Sequence, residues 1–242
     1  MKRLFSLVLL TSVILCSANA TNSFGIKGFF NGGNRTMSDS DKASLAESGF
    51  NISEVDGNSG WGFTVFSNIS LVDFGKTVIG IRPEVGMNFN NGGYMKGTVT
   101  TDSGSKVDIT MTLKNNTWDF PLMLTINHNF TEGFKLCFGI GPMLSIPVAF
   151  DWTLEFNSVT VSMAEVLGGS GASLEAYGVN WGMCVILDAG FKIGSGYLLV
   201  GARSLKDFTY TQVKLSASGV HKTSDLYTRY IFGLGLGYEF TF

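Results

Sequence analysis

The chain is poor in charge, and what charge it has excludes one class of partner. Charged residues make up 15% of its 242 residues. Lys2 and Arg3 belong to an N-terminal segment treated below. Without those two, the 17 basic residues fall to 15 against 19 acidic ones, a net charge of −4. No basic stripe is left to hold a nucleic-acid backbone, so we expect no nucleic-acid partner.

Cysteine and histidine are also scarce. Of three cysteines, Cys137 and Cys184 lie beyond the N-terminal segment. A disulfide-rich scaffold is excluded, and these two either pair or are two small buried side chains. His128 and His221 are the only histidines, and neither has a nearby serine and acid at catalytic spacing. With no Cys or His cluster either, we expect no enzyme, metal or cofactor.

Long apolar runs are missing after residue 20, so no transmembrane helix is predicted there. The run 4–15 is too short to span a bilayer, follows Lys2 and Arg3, and precedes an Ala-Asn-Ala triplet. This pattern predicts a secretory signal peptide at 1–20 and a single mature domain at 21–242. A lipoprotein signal with Cys16 acylated is the alternative, but Leu15 is bulky where a small residue is expected.

Glycine and phenylalanine are abundant, at 31 and 20 residues, and apolar side chains recur with period two. In the last segment Tyr238 and Phe240 share one face, while Gly237 and Glu239 share the other. A strand of a soluble sandwich is about five or six residues long. A membrane-spanning strand needs about nine to eleven. The alternating runs reach the larger length, which favours strands that cross a membrane.

Eight such strands are predicted, with connections that alternate between long and short. The strands are 24–31, 60–70, 77–100, 106–128, 134–150, 179–192, 197–210 and 226–242. Short periplasmic turns, long extracellular loops and an even strand number are typical of bacterial outer-membrane barrels. We therefore predict an all-β fold, an eight-stranded antiparallel up-and-down transmembrane β-barrel. We expect it to be located in the outer membrane of a Gram-negative-type bacterium, where outer-membrane lipid surrounds it.

Three finer features accompany this prediction. Residues 94–101 and 106–113 flank a turn sequence and predict a β-hairpin that continues strands three and four above the membrane. Residues 39–47 predict one or two helical turns. All four prolines fall inside predicted strands, where each removes one ladder hydrogen bond, so we expect bulges or edges near them.

If the aromatic face meets lipid, the opposite face lines the interior and carries charge. The interior charges are predicted to be Lys27, Arg82, Lys135, Lys192, Arg203 and Arg229 with Glu84, Asp119, Asp188 and Glu239. Unpaired charges are costly in a narrow lumen. Those at middle height, Arg82, Glu84, Asp119, Asp188 and Arg203, are predicted to form a paired network that fills the barrel. The alternative is a proton or ion path.

Short motifs across nearly the whole mature chain resemble the PorT-like outer-membrane β-barrel proteins. They are Phe24-Gly-Ile-Lys-Gly28, Ile81-Arg-Pro-Glu84, Phe120-Pro-Leu122, Gly139-Ile-Gly-Pro142 and Ala202-Arg203. The resemblance implies an eight-stranded barrel and accounts for three of the prolines as family features. It implies little about activity, because members differ in role.

The C-terminus is similar to the assembly signal read by the barrel-insertion machinery. Gly237, Phe240 and Phe242 match that pattern, whereas Gly235 stands where a polar residue is expected. The similarity implies that the barrel-insertion machinery is a partner.

These observations predict an integral outer-membrane protein with a filled lumen. Its expected role is surface binding, adhesion or envelope structure, toward an unidentified extracellular ligand or envelope partner. One alternative is a small conduit or an accessory of a transport or secretion system, which predicts ion conductance. A third hypothesis is a lipid-modifying barrel enzyme that depends on His128 or His221.

Overall fold

The computed structural model describes residues 22–37, 39–47, 49–90, 92–101, 103–156, 159–162, 173–217 and 220–242. The predicted signal peptide, residues 1–20, lies outside them. Eight long strands form the body of the molecule. They are β1 (Ser23–Thr36), β3 (Gly60–Asp73), β4 (Thr77–Phe89), β6 (Lys106–Thr131), β7 (Phe134–Phe156), β10 (Asn180–Ile193), β11 (Gly196–Asp207) and β13 (Val220–Thr241).

These eight strands close into a barrel. Each is antiparallel to both neighbours, in the order β1, β3, β4, β6, β7, β10, β11 and β13. The first and last strands pair along their whole common length, from Ser23 opposite Thr241 to Thr36 opposite Thr228. Closure satisfies the backbone groups that an edge strand would leave free. The predicted eight-stranded antiparallel barrel is confirmed.

The two ends of the barrel differ. Three strand pairs are joined by the short turns 74–76, 132–133 and 194–195 at the end where β1 starts and β13 stops, which we call the turn end. Gly75 and Gly194 have positive φ values of 78° and 62° in these turns, a conformation that favours glycine. The opposite end, with the long connections, is the loop end.

One predicted strand is divided. The sequence predicts a single strand over 77–100, but β4 ends at Phe89 and β5 (Gly93–Thr100) begins four residues later. Asn90 lies between them with a φ of 54°, in the left-handed region that strands do not use. Beyond this break the chain stops pairing with β3 and pairs with β2 (Phe50–Gly57), so the prediction of one continuous strand is wrong.

Above the barrel body, the loop end carries further sheet. The strands β2, β5, β6, β7 and β8 (Val159–Ser162) lie side by side and form what we call the loop-end sheet. The predicted hairpin is confirmed, because β5 pairs with the first part of β6 from Gly93 opposite Leu113 to Thr100 opposite Lys106. On the other side β12 (Thr211–Ala217) pairs with β13 and with β9 (Ser173–Tyr177). The strands β2, β8, β9 and β12 were not predicted.

The predicted helical turns are confirmed as α1 (Asp39–Glu47). Among the described residues, no helix has both the length and the apolar character needed to cross a membrane.

All four prolines lie inside strands, and the ladders around them are interrupted. Pro147 stands next to the register shift between Asn116 and Thr117, so a bulge lies beside it as expected. Beside Pro83, pairing between β4 and β6 skips two residues before it resumes at Gly86. Because the ladder is already interrupted at these points, the hydrogen bond that proline cannot donate is not missing from a regular ladder.

The outer surface of the barrel body is apolar. Phe30, Leu234 and Leu236 are 69%, 61% and 63% exposed, and they belong to the outward rows of β1 and β13. Soluble monomers rarely expose so large a continuous apolar surface. In the barrel body the inward rows of the same strands consist of polar side chains and glycine, apart from Phe29 and Ile231. The usual order of a soluble protein, apolar inside and polar outside, is therefore inverted, as a lipid surround requires.

Candidate functional site: the ion-paired lumen

The lumen is filled by charged side chains from every strand of the barrel body except β3. Period-two alternation places them on the inward rows, where all are at most 7% exposed. The buried cations are Lys27, Arg82, Lys135, Arg203 and Arg229, and the buried carboxylates are Glu84, Asp119, Asp188, Asp207 and Glu239. Among the side chains whose burial is described, five positive groups therefore face five negative ones. They sort into three clusters along the barrel axis.

The middle cluster consists of Lys27, Arg82, Glu84, Asp188 and Arg203. The Nε atom of Arg82 lies 2.8 Å from Oε1 of Glu84, and its Nη1 atom donates to Oδ2 of Asp188 at 2.9 Å. Lys27 donates to the other oxygen of Asp188. Arg203 is held more loosely, with Nη2 3.9 Å from Oε2 of Glu84.

Aromatic rings complete the middle cluster. The guanidinium of Arg82 lies 3.5 Å from the ring centre of Phe66, and that of Arg203 lies 4.6 Å from the ring centre of Phe29. A ring face attracts a cation more strongly where water is excluded. These contacts stabilise guanidinium groups whose hydrogen bonding is incomplete. Nη2 of Arg82, and Nε and Nη2 of Arg203, form no hydrogen bond with the described residues.

The loop-end cluster is centred on Arg229. Its Nη2 atom donates to Oδ1 of Asp119 at 2.8 Å, and its Nε atom donates to Oδ2 of Asp207 at 2.9 Å. The hydroxyls of Thr117 and Ser145 accept further bonds at 2.6 and 2.7 Å. One cation thus bridges β13, β11, β6 and β7, and two carboxylates share its charge.

The turn-end cluster is smaller. The Nζ atom of Lys135 donates to Oε1 of Glu239 at 2.7 Å, and Oγ of Ser23 donates to the same oxygen at 2.5 Å. Asn68 donates to Oγ of Ser23 at 3.1 Å, and the ammonium of Lys135 lies 4.1 Å from the ring centre of Tyr197. These contacts join β7, β13, β1, β3 and β11 at the base of the barrel.

The structure separates the five residues predicted to form one network. Arg82, Glu84, Asp188 and Arg203 lie together in the middle cluster, whereas Asp119 lies with Arg229 in the loop-end cluster. Lys192 was predicted to face the interior but is exposed, because it stands at the turn end where β10 leaves the lumen.

Asp207 was missed by the sequence analysis. It lies four residues beyond Arg203 on the same inward row of β11, and that even spacing is the signal that could have found it. Its partner Arg229 lies on the adjacent strand β13. Lys206 lies opposite Tyr230, and this register places the next residue, Asp207, beside Arg229. Only the register between β11 and β13 brings the two side chains together.

Glycines show how full the lumen is. A Cβ atom on Gly201 would meet the carboxylate of Asp188, and one on Gly233 would meet the amide oxygen of Asn31. Larger side chains at these inward positions would displace the Asp188 carboxylate and the Asn31 amide, so glycine leaves the room that these polar side chains occupy. Within the described residues, this packing fills the barrel from the turn-end cluster to the loop-end cluster.

Cys137 and Cys184 are two free, buried thiols in this structure. They lie on adjacent strands, but Cys137 is opposite Asp188 and Cys184 is opposite Gly141. The four-residue offset keeps them apart, since a strand rises about 3.4 Å per residue and a disulfide spans at most about 7 Å between Cα atoms. Of the two readings left open by the sequence, the structure selects two small buried side chains.

The two histidines lie on different strands, His128 on β6 and His221 on β13. Nδ1 of His128 lies 2.8 Å from Oγ1 of Thr77 at the turn end, and its ring meets the edge of Phe130 with 4.6 Å between centres. His221 is part of β13, but its side chain lies outside the described atoms. In the described part of the chain, no group of three His, Cys, Asp or Glu side chains is placed to hold a metal ion.

The three residues of the predicted assembly signal lie at the turn end of β13. Gly237 faces the lumen opposite Lys27, and Phe240 faces outward opposite Phe24. Phe242 follows the last strand residue and is 81% exposed. Their role in assembly stays a prediction.

No protein-family model matches this chain, and no curated protein is similar to it at a significant level. The PorT-like resemblance therefore stays a prediction. Among solved structures, the outer-membrane protease OmpT from Escherichia coli aligns with a TM-score of 0.51 at 10% identity, over 93% of this chain and 98% of that one. The outer-membrane protein OprG from Pseudomonas aeruginosa aligns over 91% of this chain and 96% of that one, at 14% identity and a TM-score of 0.45.

Neisserial surface protein A aligns over 92% of this chain and 98% of its own, at 9% identity and a TM-score of 0.40. At identities this low, the alignments support a shared fold and nothing about function. By fold, the chain is an up-and-down β-barrel of the architecture that outer-membrane proteins share. More particularly, it is a closed barrel of eight strands whose lumen is packed with ion pairs.

Proposed function

We propose that the protein is an integral outer-membrane barrel that conducts no ions and presents its loop end to the outside for binding, adhesion or envelope structure. The observation that carries this proposal is the filled lumen. Three successive clusters of buried ion pairs occupy it, and the apolar surface lies outside. An eight-stranded barrel is just wide enough to be filled by side chains.

The orientation follows from the connections. Outer-membrane barrels keep short turns in the periplasm and long loops outside the cell. The turn end would then face the periplasm, and the loop-end sheet would stand in the external medium. Its polar side chains suit that place, since Lys96 and Glu54 form an ion pair 2.9 Å long with both groups about half exposed.

Planar bilayers test the closed lumen. Purified protein whose folding is verified by a different gel mobility before and after boiling is added to the bilayer. An open porin serves as the control for insertion. We expect no conductance steps at any voltage that the bilayer tolerates. Stable ohmic steps would contradict the proposal and favour the small conduit or transport accessory.

Partition and expression test the location. In a Gram-negative host the protein is expected in the heat-modifiable, detergent-extracted outer-membrane fraction. Protein that stays in the aqueous phase and migrates identically with and without boiling would contradict membrane integration. Assays for lipid modification test the enzyme hypothesis, and our proposal expects the parent protein to show no such activity. Activity that His128→Ala or His221→Ala abolishes would favour the enzyme hypothesis instead.

We also propose that Gly237, Phe240 and Phe242 form a signal for the barrel-insertion machinery. Phe242 supports this role because it follows the last strand residue and is 81% exposed, so that a binding partner can reach it. The variant Phe242→Ala is expected to slow insertion by that machinery while spontaneous folding into detergent is unchanged. Phe74→Ala is the matched control, since Phe74 is 67% exposed and also lies at the turn end. Equal insertion rates for both variants would contradict the signal.

A further inference from the structure

Lys206 is a charged residue on the apolar outer surface of the barrel. It is exposed on the outward row of β11, opposite Met183 of β10 on one side and Tyr230 of β13 on the other. Two residues away along its own strand direction are Ser204 and Phe208. None of these four neighbours is charged. A cation on a lipid-facing row is costly unless its ammonium reaches a polar region.

The height of Lys206 places it at the upper edge of the apolar surface. The strand β11 begins with Gly196 at the turn end and rises to Lys206 near the loop end. With a rise of about 3.4 Å per residue and a strand tilt of about 40°, the two residues are separated by about 26 Å along the barrel axis. The apolar band of an outer-membrane barrel is about 25 Å tall. A band that starts at the turn end therefore ends at Lys206, where lipid head groups begin.

Aromatic rings surround Lys206 at this level. Trp181 and Phe208 lie side by side in the row above, where the backbone N–H of Phe208 donates to the oxygen of Trp181 at 2.7 Å. Tyr230 lies in the same row as Lys206, and Phe232 lies in the row below. All four aromatic side chains are exposed. Since tryptophan and tyrosine are enriched at the head-group level of a membrane, these rings independently place Lys206 at the interface.

The ammonium of Lys206 has no counter-ion among the described residues. The exposed ion pairs there are Lys42 with Asp39 and Lys96 with Glu54, and Lys206 belongs to neither. The buried cations of the lumen, in contrast, each have a carboxylate partner. An anionic group from outside the chain would therefore complement Lys206.

A groove in the outer surface begins at Tyr230, on the strand next to β11. Its upper hollow, of about 420 Å³, lies over Gly32 between β1 and β13 and is bounded by Tyr230 and Phe232. A Cβ atom on Gly32 would have no atom within 4 Å, so this hollow is open. A second hollow, of about 670 Å³, shares Phe30 and Leu234 with the first and continues toward the turn end. We call the two hollows the outer groove, and it is lined by Gly28, Phe30, Gly32, Tyr230, Phe232 and Leu234.

Shape and charge indicate the same occupant. The outer groove is apolar below Tyr230 and runs from the middle of the barrel to the level of Lys206, as a lipid tail below a head group does. A second copy of the chain fits less well. Two-fold packing on this face would bring a second Lys206 to the same level without an acid to pair with it.

We propose that the outer groove and Lys206 bind a phospholipid of net negative charge, with one tail in the groove and the phosphate against the Lys206 ammonium. The hydroxyl of Tyr230, opposite Lys206, supplies a second hydrogen-bond donor at the head-group level. This inference rests on the membrane location in the proposed function, and it names the class of lipid that this part of the surface selects. It does not depend on the absence of conductance.

Tryptophan quenching tests the proposal in the full chain reconstituted into phospholipid vesicles. Trp118, Trp152 and Trp181 are replaced by Phe, so that Trp61, which lies opposite Phe30 of the groove, is the single tryptophan. Phosphatidylglycerol and phosphatidylcholine, each with brominated tails, are the anionic and the zwitterionic probe. We expect phosphatidylglycerol to be preferred beside Trp61 by about fivefold, which corresponds to one lysine near an anionic surface.

Variants of the head-group position separate this site from the general charge of the leaflet. Lys206→Met is expected to abolish the preference, and Lys206→Gln should do the same with a polar side chain. Lys114→Met is the matched control, since Lys114 is exposed on the outward row of β6 at the same end of the barrel. It should keep the preference of the parent. All variants must keep heat-modifiable gel mobility.

A variant of the groove tests where the tail lies. Gly32→Leu fills the upper hollow, and the open space around Gly32 allows the larger side chain without displacing the strand. Because the tail is then displaced, quenching of Trp61 by brominated phosphatidylglycerol should fall while Lys206 is still present. Unchanged quenching would overturn the assignment of the tail to the groove.

Equal quenching by the two lipids, or a preference that Lys206→Met and Lys114→Met reduce alike, would overturn the proposal. Crosslinked dimers through the Phe30 face, with Trp61 shielded from both lipids, would overturn it by assigning the groove to a second copy. Failure of the proposed function is a separate result, namely conductance or a soluble protein. A folded, nonconducting barrel in the bilayer without a lipid preference would refute only this inference.

Discussion

Removal of Arg229 is the sharpest test of the ion-paired lumen. This guanidinium is 1% exposed and compensates two carboxylates, Asp119 and Asp207, that are themselves buried. The variant Arg229→Met keeps much of the side-chain volume but leaves two negative charges without their cation. Breaking a buried pair from one side costs about 3–5 kcal/mol. That loss is a large part of a typical unfolding free energy of about 5–15 kcal/mol.

The origin of this cost can be separated from simple loss of packing. The triple variant Arg229→Met, Asp119→Asn, Asp207→Asn removes all three charges, and it is expected to regain most of the lost stability, because neutral groups need no counterion. Lys192→Met is the control, since Lys192 is exposed, and it should change stability by less than about 0.5 kcal/mol.

Equilibrium urea unfolding in phospholipid bilayers, followed by heat-modifiable gel mobility, measures all three. An Arg229→Met variant within about 1 kcal/mol of the parent would refute the reasoning. So would a triple variant no more stable than the single one.

Three further outcomes are expected. Gly235→Ala should destabilise the barrel by about 1–3 kcal/mol, because its Cβ would meet a backbone oxygen of β1, whereas Gly32→Ala, with open space around it, should not. Urea unfolding that ranks the two alike would contradict the lumen packing. Leu234→Arg, on the outward row, should cost about 2–4 kcal/mol in bilayers if it sits near the membrane midplane. A neutral effect there would contradict lipid contact. Tyr94 donates a hydrogen bond to Glu54, which holds the pKa of Glu54 below and that of Tyr94 above their ordinary values. Glu54→Gln should therefore lower the pKa of Tyr94, measured by ultraviolet titration against Tyr94→Phe.

The sign of the Glu54 effect follows from these directions. A carboxyl whose pKa is lowered by folding contributes stability above its unfolded pKa, and that contribution is lost as the pH falls through the folded value. For Tyr94, whose pKa is raised, the contribution is present below the unfolded pKa and lost as the pH rises through the folded value. The hydrogen bond between Glu54 and Tyr94 therefore contributes its full stability at pH values between the unfolded-state pKa of Glu54 and that of Tyr94. At mildly acid pH, Glu54→Gln should therefore make the loop-end sheet easier to unfold. Unfolding that is unchanged by this substitution would contradict the account.

Strand alternation could be read from the residues because it is a local property. The row from Asp119 to Leu113 keeps its face through simple period two, and the hairpin around 101–105 follows from turn residues between two β-rich runs. The same argument failed at Asn90, where one residue in the left-handed region ends a strand that the apolar pattern continues. A single backbone conformation outweighed the periodicity of its neighbours.

Pairing between strands could not be read in the same way. Arg229 and Asp119 are 110 residues apart, and their contact depends on the register across the barrel. A shift of one residue between two strands would reverse which side chains meet. The separation of the interior charges into three clusters, and the partnership of Asp207 with Arg229, arise from that register.

The sequence alone determined that this chain forms an eight-stranded barrel with charge inside and apolar groups outside, because period-two alternation and strand length are properties of consecutive residues. It also indicated the hairpin and the short helix at the loop end. Only the tertiary structure decided which charges neutralise one another, that Cys137 and Cys184 stay apart, and that the inward row turns apolar beneath a polar outer face. These features depend on strands that meet when the barrel closes, and closure is a long-range event that no local pattern records.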